Sequence, residues 1–251
     1  YLSRTFSLDV NIVFGNVEMV AGLPLGTLVV SFSGTEEDIK KAIGWLAGQT
    51  WCSGNVGMFG ISFFAIVQPL VAQLSPPALK AIFAPYGYTD MYRDRYYHGG
   101  ILSHRFMQLW LPTLDNPRLQ SLLAKEIGRE AFDAGIAEAR TDPDLMAVGF
   151  LKRILDDPLG GQNGMIADIL QLALDDPYYR ERSVDYSRGC TVPGYFGACW
   201  GVHGLHLPGA LRSFQNWNGP RKLTIGPPVY LDRPFYQYHL EALRWFDHWL
   251  K

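Results

Sequence analysis

Ser62 stands in the run VGMFGISFFAIVQPL, Val56 to Leu70, between a short apolar stretch and what reads as the start of a helix. A serine hydroxyl attacks a carbonyl only when something positions it and something takes its proton, because its pKa lies far above neutral. A nucleophile elbow does the positioning: a strand runs into a sharp turn, the serine is lifted off the sheet, and the next backbone N–H, here that of Phe63, faces the oxyanion. Gly60 and Ser62 supply Gly-x-Ser, two common residue types that gain meaning only from lying between a strand and a helix. The plain alternative is a small residue filling a turn. Farther on, Cys199-x3-His203-x2-His206 offers zinc-ligand types, but no second cluster at the usual spacing completes such a site. The tyrosine-rich run Tyr86 to Gly100 is equally suited to lining an acyl or amine pocket and to packing a core.

The elements that must carry these residues are short. Strands are expected at Thr27 to Phe32, Val56 to Phe59, Ala81 to Ala84, Gly194 to Ala198 and Lys222 to Ile225. Between the first two, Glu36 to Gln49 predicts a helix, with Thr35 as N-cap, acids in its first turn and Ile39, Ile43, Leu46 and Ala47 on one face. Strand, helix and strand in that order predict an α/β fold with a doubly wound, mostly parallel sheet and right-handed crossovers. The aromatic helix expected over Phe235 to Lys251 would pack on that sheet. From about Met91 to Arg188 the pattern is helical and broken by Asp-Pro turns, which read as loop punctuation and not as carboxylate chemistry. The expected organisation is residues 1–90 as the first part of the core, 91–189 as a helical cap insertion and 190–251 as the second part.

Composition excludes several classes of function. With 251 residues, 48% hydrophobic and 18% charged, the chain can bury a large core. A net charge of -2 and the lack of a dense Lys/Arg stripe argue against a nucleic-acid partner. No apolar run approaches the roughly 20 residues that cross a bilayer. Three cysteines, Cys52, Cys190 and Cys199, an odd number in a chain too large to need staples, fit a reducing compartment or incidental burial better than a disulfide framework, and a cytoplasmic location is expected.

The run DIKKAIGWLAGQTWCSGNVGMFGISFFAIVQPLVAQLSPPALKAIFAP resembles the nucleophile region of the cocaine esterase, α-amino-acid ester hydrolase and Xaa-Pro dipeptidyl-peptidase group of α/β hydrolases. YTDMYRDRYYHGG and the closing GPPVYLDRPFYQYHLEALRWFDHWLK resemble the same group. The resemblance implies an α/β-hydrolase sheet, a helical cap and a C-terminal jelly roll, and that last domain is expected to be absent, since the chain stops at WLK. It also implies a serine nucleophile, no cofactor and a small-molecule ester or amide as partner, with a homo-oligomer left open.

The departures are specific. Ala65 stands where the group carries a glycine, which predicts a crowded elbow, and SFSGT, Ser31 to Thr35, replaces Asp-x-Arg-Gly-Thr. Where the group places its acid, neither Cys199, Gly201 nor Val202 is a carboxylate, and Tyr230 stands nearest the place of its histidine. One compensation is an exchange of loops: His203 or His206 after the Gly194 strand and Asp232 after the Lys222 strand, both at the carboxyl edge of the sheet. Another base, such as His98 from the cap, is also open. Two functions follow, a serine hydrolase forming an acyl-enzyme on Ser62 or a catalytically degraded relative that serves as a binding or assembly module.

Overall fold

The structure is a computed structural model that describes residues 9–20, 23–110, 120–161, 163–201, 204–227 and 234–251. Contacts divide these residues into two compact units. One holds the described residues of 9–87, 185–201 and 210–251, and the other those of 88–184 and 204–209.

The first unit is built on four parallel strands, β3 (Val56–Phe59), β4 (Leu79–Pro85), β7 (Gly194–Cys199) and β8 (Arg221–Gly226), hydrogen-bonded in that order. The two central strands, β4 and β7, are almost wholly buried, whereas β3 and β8 at the edges are half-exposed or exposed. This is why LKAIFAP and GYFGAC read as continuous small and apolar runs without alternation: a central parallel strand has no solvent face. Phe83 on β4 stacks on Tyr195 of β7 with ring centroids 4.3 Å apart and on Phe59 of β3 at 5.6 Å. Three helices pack against these strands: α1 (Glu36–Ala47), α2 (Phe63–Ala72) and the closing α11 (Pro234–Leu250). Thr35 caps α1 by accepting from the Asp38 N–H at 3.2 Å, as the sequence predicts. From α11, the Trp245 indole N–H donates to the Ile82 carbonyl at 3.1 Å. A Cβ on Gly57 would sit 2.6 Å from the Phe246 ring, so glycine there lets α11 lie close on β3.

One expectation is corrected. Thr27 to Phe32 lies in β2 (Leu23–Ser33), which pairs antiparallel with β1 (Asp9–Val20) in a separate two-stranded sheet and is not hydrogen-bonded to β3 among the described residues. Only two residues separate β1 from β2, a spacing that allows an antiparallel pair but is far too short for a parallel crossover. The other four strands and the two long helices form where the sequence predicts them, within one or two residues at each end.

The second unit is helical. A hairpin of β5 (Tyr97–His98) and β6 (Ile101–Leu102) follows a π-helical turn at Tyr92–Tyr96 and leads into α3 (His104–Trp110). Then come α4 (Leu123–Ile127), α5 (Arg129–Ala139), α6 (Pro143–Ala147), α7 (Gly149–Asp156), α8 (Gly164–Gln171) and α9 (Pro177–Arg180). The unit has its own core, in which Phe132, Leu151, Leu155, Ile169 and Tyr179 are buried together. Two of the Asp-Pro pairs do more than punctuate loops. Asp142 and Asp176 cap α6 and α9 with their carboxylates, and the following prolines sit in the first turn, where a missing N–H costs nothing. Between β7 and β8 runs α10 (Leu207–Asn216). Among the described residues no helix is long and apolar enough to cross a membrane.

Candidate active site

Ser62 occupies the junction between the end of β3 and the first residue of α2, with φ 55° and ψ -119°. A side-chain-bearing residue at such angles is strained by about 1–3 kcal/mol and persists only where its surroundings over-determine it. Those surroundings are visible. The Ser62 N–H donates to the Pro85 carbonyl at 3.3 Å, the Gly60 N–H to the Phe83 carbonyl at 3.3 Å, and the Ser62 carbonyl accepts from Ala65 and Ile66 at 2.9 and 3.0 Å. At Gly60 a Cβ would meet Phe64 Cβ at 2.5 Å, so no larger residue fits under the turn. A serine in front of a helix commonly caps it, yet the Ser62 side chain makes no cap bond to α2. Phe63 follows as the first helical residue, its ring largely exposed, and its N–H points from the positive end of the helix, where an anion is favoured.

Sequence reasoning missed the residue that ties this turn down. Gln68, only 1% exposed, donates through Nε2 to the Gly60 carbonyl at 3.1 Å and the Phe64 carbonyl at 2.9 Å, while its Oε1 accepts from the Phe83 N–H at 3.0 Å. One side chain thus links the elbow, its helix and the neighbouring strand. The available signal was a lone amide in the apolar run FFAIVQPLVA. The crowding expected from Ala65 is relieved from across the contact: Ala65 is fully buried, and a Cβ on Gly87 would lie 3.2 Å from its own Cβ. Beside it, Tyr86 is buried with φ 58° and donates its N–H to the Gly197 carbonyl at 2.6 Å.

The base is less well placed. His203 and Asp232 lie outside the described residues. His206, in front of α10, is completely buried, and burial pushes its pKa down to about 3, which keeps the imidazole neutral at ordinary pH. His98 in β5 is half-buried, with its pKa lowered by the same cause and its Nε2 buried and without a hydrogen-bond partner among the described residues. Cys199 is buried at the end of β7. Among the described residues no three His, Cys, Asp or Glu side chains gather as a metal site would require.

Comparison with known proteins bears on this geometry. The family model described as X-Pro dipeptidyl-peptidase (S15 family) matches residues 23–229. A cocaine esterase from a Rhodococcus species is 38% identical over 202 residues, covering 76% of this chain and 34% of its own length. The solved structure of a CocE/NonD family hydrolase from Staphylococcus aureus superposes with a TM-score of 0.59 at 26% identity, over 86% of this chain and 32% of that one. The chain therefore has the α/β-hydrolase fold and spans about a third of the length of these relatives. A different kind of match, 44% identical over 46 residues or 18% of this chain, is to the methionine import ATP-binding protein MetN of Rhodopseudomonas palustris.

Proposed function

The chain belongs to the X-Pro dipeptidyl-peptidase S15 family, and from that premise we propose that it is a serine hydrolase cleaving ester or amide bonds of small acyl or aminoacyl substrates. Ser62 Oγ gives its proton to a base and attacks the carbonyl carbon. The resulting oxyanion is met by the Phe63 N–H and the N-terminus of α2. Collapse expels the alcohol or amine, which takes a proton back from the base and leaves an acyl-enzyme on Ser62. Water, deprotonated by the same base, then releases the carboxylic acid and restores the serine.

The observation that carries this reading is the backbone of Ser62, held at φ 55° between β3 and α2 with its side chain not spent on the helix cap. A general base works best with a pKa near the operating pH. The low pKa of His206 therefore favours His203, oriented by Asp232, as the pair to test first. A fluorophosphonate probe and a short-chain aryl ester provide the test. Wild type is expected to be labelled and to turn the ester over, with turnover reduced about 10³-fold or more in Ser62→Ala and labelling lost.

The second reading, a degraded relative acting as a binding module, draws support from the buried, neutral His206. Equal background signal from wild type and Ser62→Ala would establish it. The MetN match does not extend this reading to nucleotide binding, since the chain contains no Gly-x4-Gly-Lys-Ser/Thr run to cradle phosphates.

A further inference from the structure

We infer that the helical unit holds a binding site for a small monocarboxylate with an apolar body, recognised by Arg95 and Arg182. The site is a cavity of about 180 Å³ whose wall includes Arg95 and Arg182, Tyr96 and Tyr178, and Met91, Leu122 and Met165. No carboxylate lines it among the described residues.

A guanidinium withdrawn from water needs an anion or a full set of acceptors. Arg95, half-buried, has neither among the described residues. Its carbon lies 4.8 Å from the centre of the Tyr96 ring, its Nη1 reaches only the Met91 sulfur at 3.8 Å, its remaining hydrogen bond is to the Tyr88 hydroxyl, and no carboxylate pairs with it among the described residues. Arg182 stacks over Tyr178 at 4.0 Å and donates from Nη1 to the Tyr178 carbonyl at 2.6 Å. Its nearest ion-pair partner is Glu181, at 3.9 Å and largely exposed.

Asp168 does not compete for the guanidinium donors. This buried carboxylate feels the Arg182 charge, but its oxygens are occupied by the Ser121 hydroxyl at 2.5 Å and by the Leu122 and Leu123 N–H groups at 2.8 and 3.1 Å. It lies near Arg182 without consuming the guanidinium donors, which stay available to a carboxylate. Gln120, also in the wall, spends its Oε1 on Lys125 Nζ at 3.2 Å and keeps its NH₂ as a further donor. Planar forks of N–H groups match a carboxylate, and the methionine and leucine wall accepts an apolar body.

The larger concavity of this unit, about 1150 Å³, discriminates the other way. Glu126, Glu138, Asp142, Asp144, Asp176 and Glu181 line it with no Lys or Arg among the described residues, so it repels the same ligand. Ester or amide hydrolysis releases carboxylates of this class; that link alone rests on the reading of Ser62, and the site itself does not.

The test is calorimetric titration of benzoate into the full chain, with benzyl alcohol and benzylamine as neutral and cationic matches. Wild type and Ser62→Ala are both expected to bind benzoate at a single saturable site, and about tenfold or more tighter than either match. Arg95→Met and Arg182→Met should each weaken benzoate binding about tenfold, as should Met165→Trp, which keeps both charges and fills the cavity. Circular dichroism separates a lost site from a lost fold, and Met165→Trp decides the matter where an arginine variant does not fold. No saturable binding by wild type up to about 20 mM, unchanged binding in a folded Arg95→Met/Arg182→Met variant, or loss of binding on Ser62→Ala would each overturn the proposal.

Discussion

In the sheet unit three of the described residues that carry side chains have positive φ, Ser62, Ser75 and Tyr86, whereas in the helical unit every described residue with positive φ is a glycine: Gly99, Gly100, Gly128 and Gly161. The difference is not one of turn density. Ser75 is the ordinary case, a left-handed residue just past the end of α2 whose N–H returns to the Ala72 carbonyl at 2.9 Å. Ser62 and Tyr86 are not ordinary, because both sit where chain leaves the carboxyl ends of adjacent strands β3 and β4. The left-handed turns of the helical unit fall on glycine, where they cost little, while the sheet unit holds strain at Ser62 and Tyr86.

The two units also treat polar groups differently. Around Ser62 the buried polar atoms belong to the backbone and to Gln68, and they serve geometry. In the helical unit several of the buried polar groups are titratable. Asp168, Tyr88 and His206 are all withdrawn from water, and burial raises the pKa of the first two and lowers that of the third. Mutations in the two units should therefore fail in different ways.

The largest stability effect is expected at Gln68. Gln68→Leu keeps the volume but strips a donor from the Gly60 carbonyl and an acceptor from the Phe83 N–H, at about 1–3 kcal/mol for each buried group left unsatisfied. Denaturant unfolding should show about 3 kcal/mol lost, and ester turnover should fall with it, because the elbow loses its tie to β4. A variant that unfolds like wild type would mean that the strain at Ser62 is held by the strands alone.

Second in size is a pH effect confined to the helical unit. The folded pKa of His206 lies below its unfolded value of 6.5, so the unfolded state binds the extra proton once pH falls below 6.5. Its contribution is fully present above that pH and is lost as pH falls from 6.5 toward about 3. Between pH 7 and pH 5 this amounts to about 2 kcal/mol. His206→Phe should flatten that part of the profile, and an unchanged slope would show that His206 is not the group being protonated.

The smallest effect has the opposite sign. Ser62→Gly removes the Cβ from a positive-φ site and should stabilise the fold by about 1 kcal/mol while ending turnover. Gly128→Ala, at φ 83° in the helical unit, should cost about as much. Thermal melts that moved in the same direction for both variants would erase the contrast between the units.

Much of the scaffold was legible in the residues. The four parallel strands, α1 and α11 were readable because each is announced by a local pattern: an apolar run for a buried strand, a capping threonine, a periodic apolar face. The place of β2 outside the parallel sheet is not legible, because its antiparallel partner β1 carries no strand pattern clear enough to announce it. At the candidate site, the place of Ser62 and Phe63 between a strand and a helix is legible from the order of apolar run, turn and helix. Gln68 and Gly87 were not, since an amide in an apolar helix and a glycine after a strand acquire their roles only from what they touch.

By itself, then, the order of residues determined that a serine would stand between β3 and α2, because hydrophobic period and turn chemistry act over a few neighbours. Tertiary structure alone decided that this serine would be held at φ 55°. The restraining partners, Pro85 for its N–H and Phe83 for Gln68, lie on β4, and only sheet pairing brings that strand alongside.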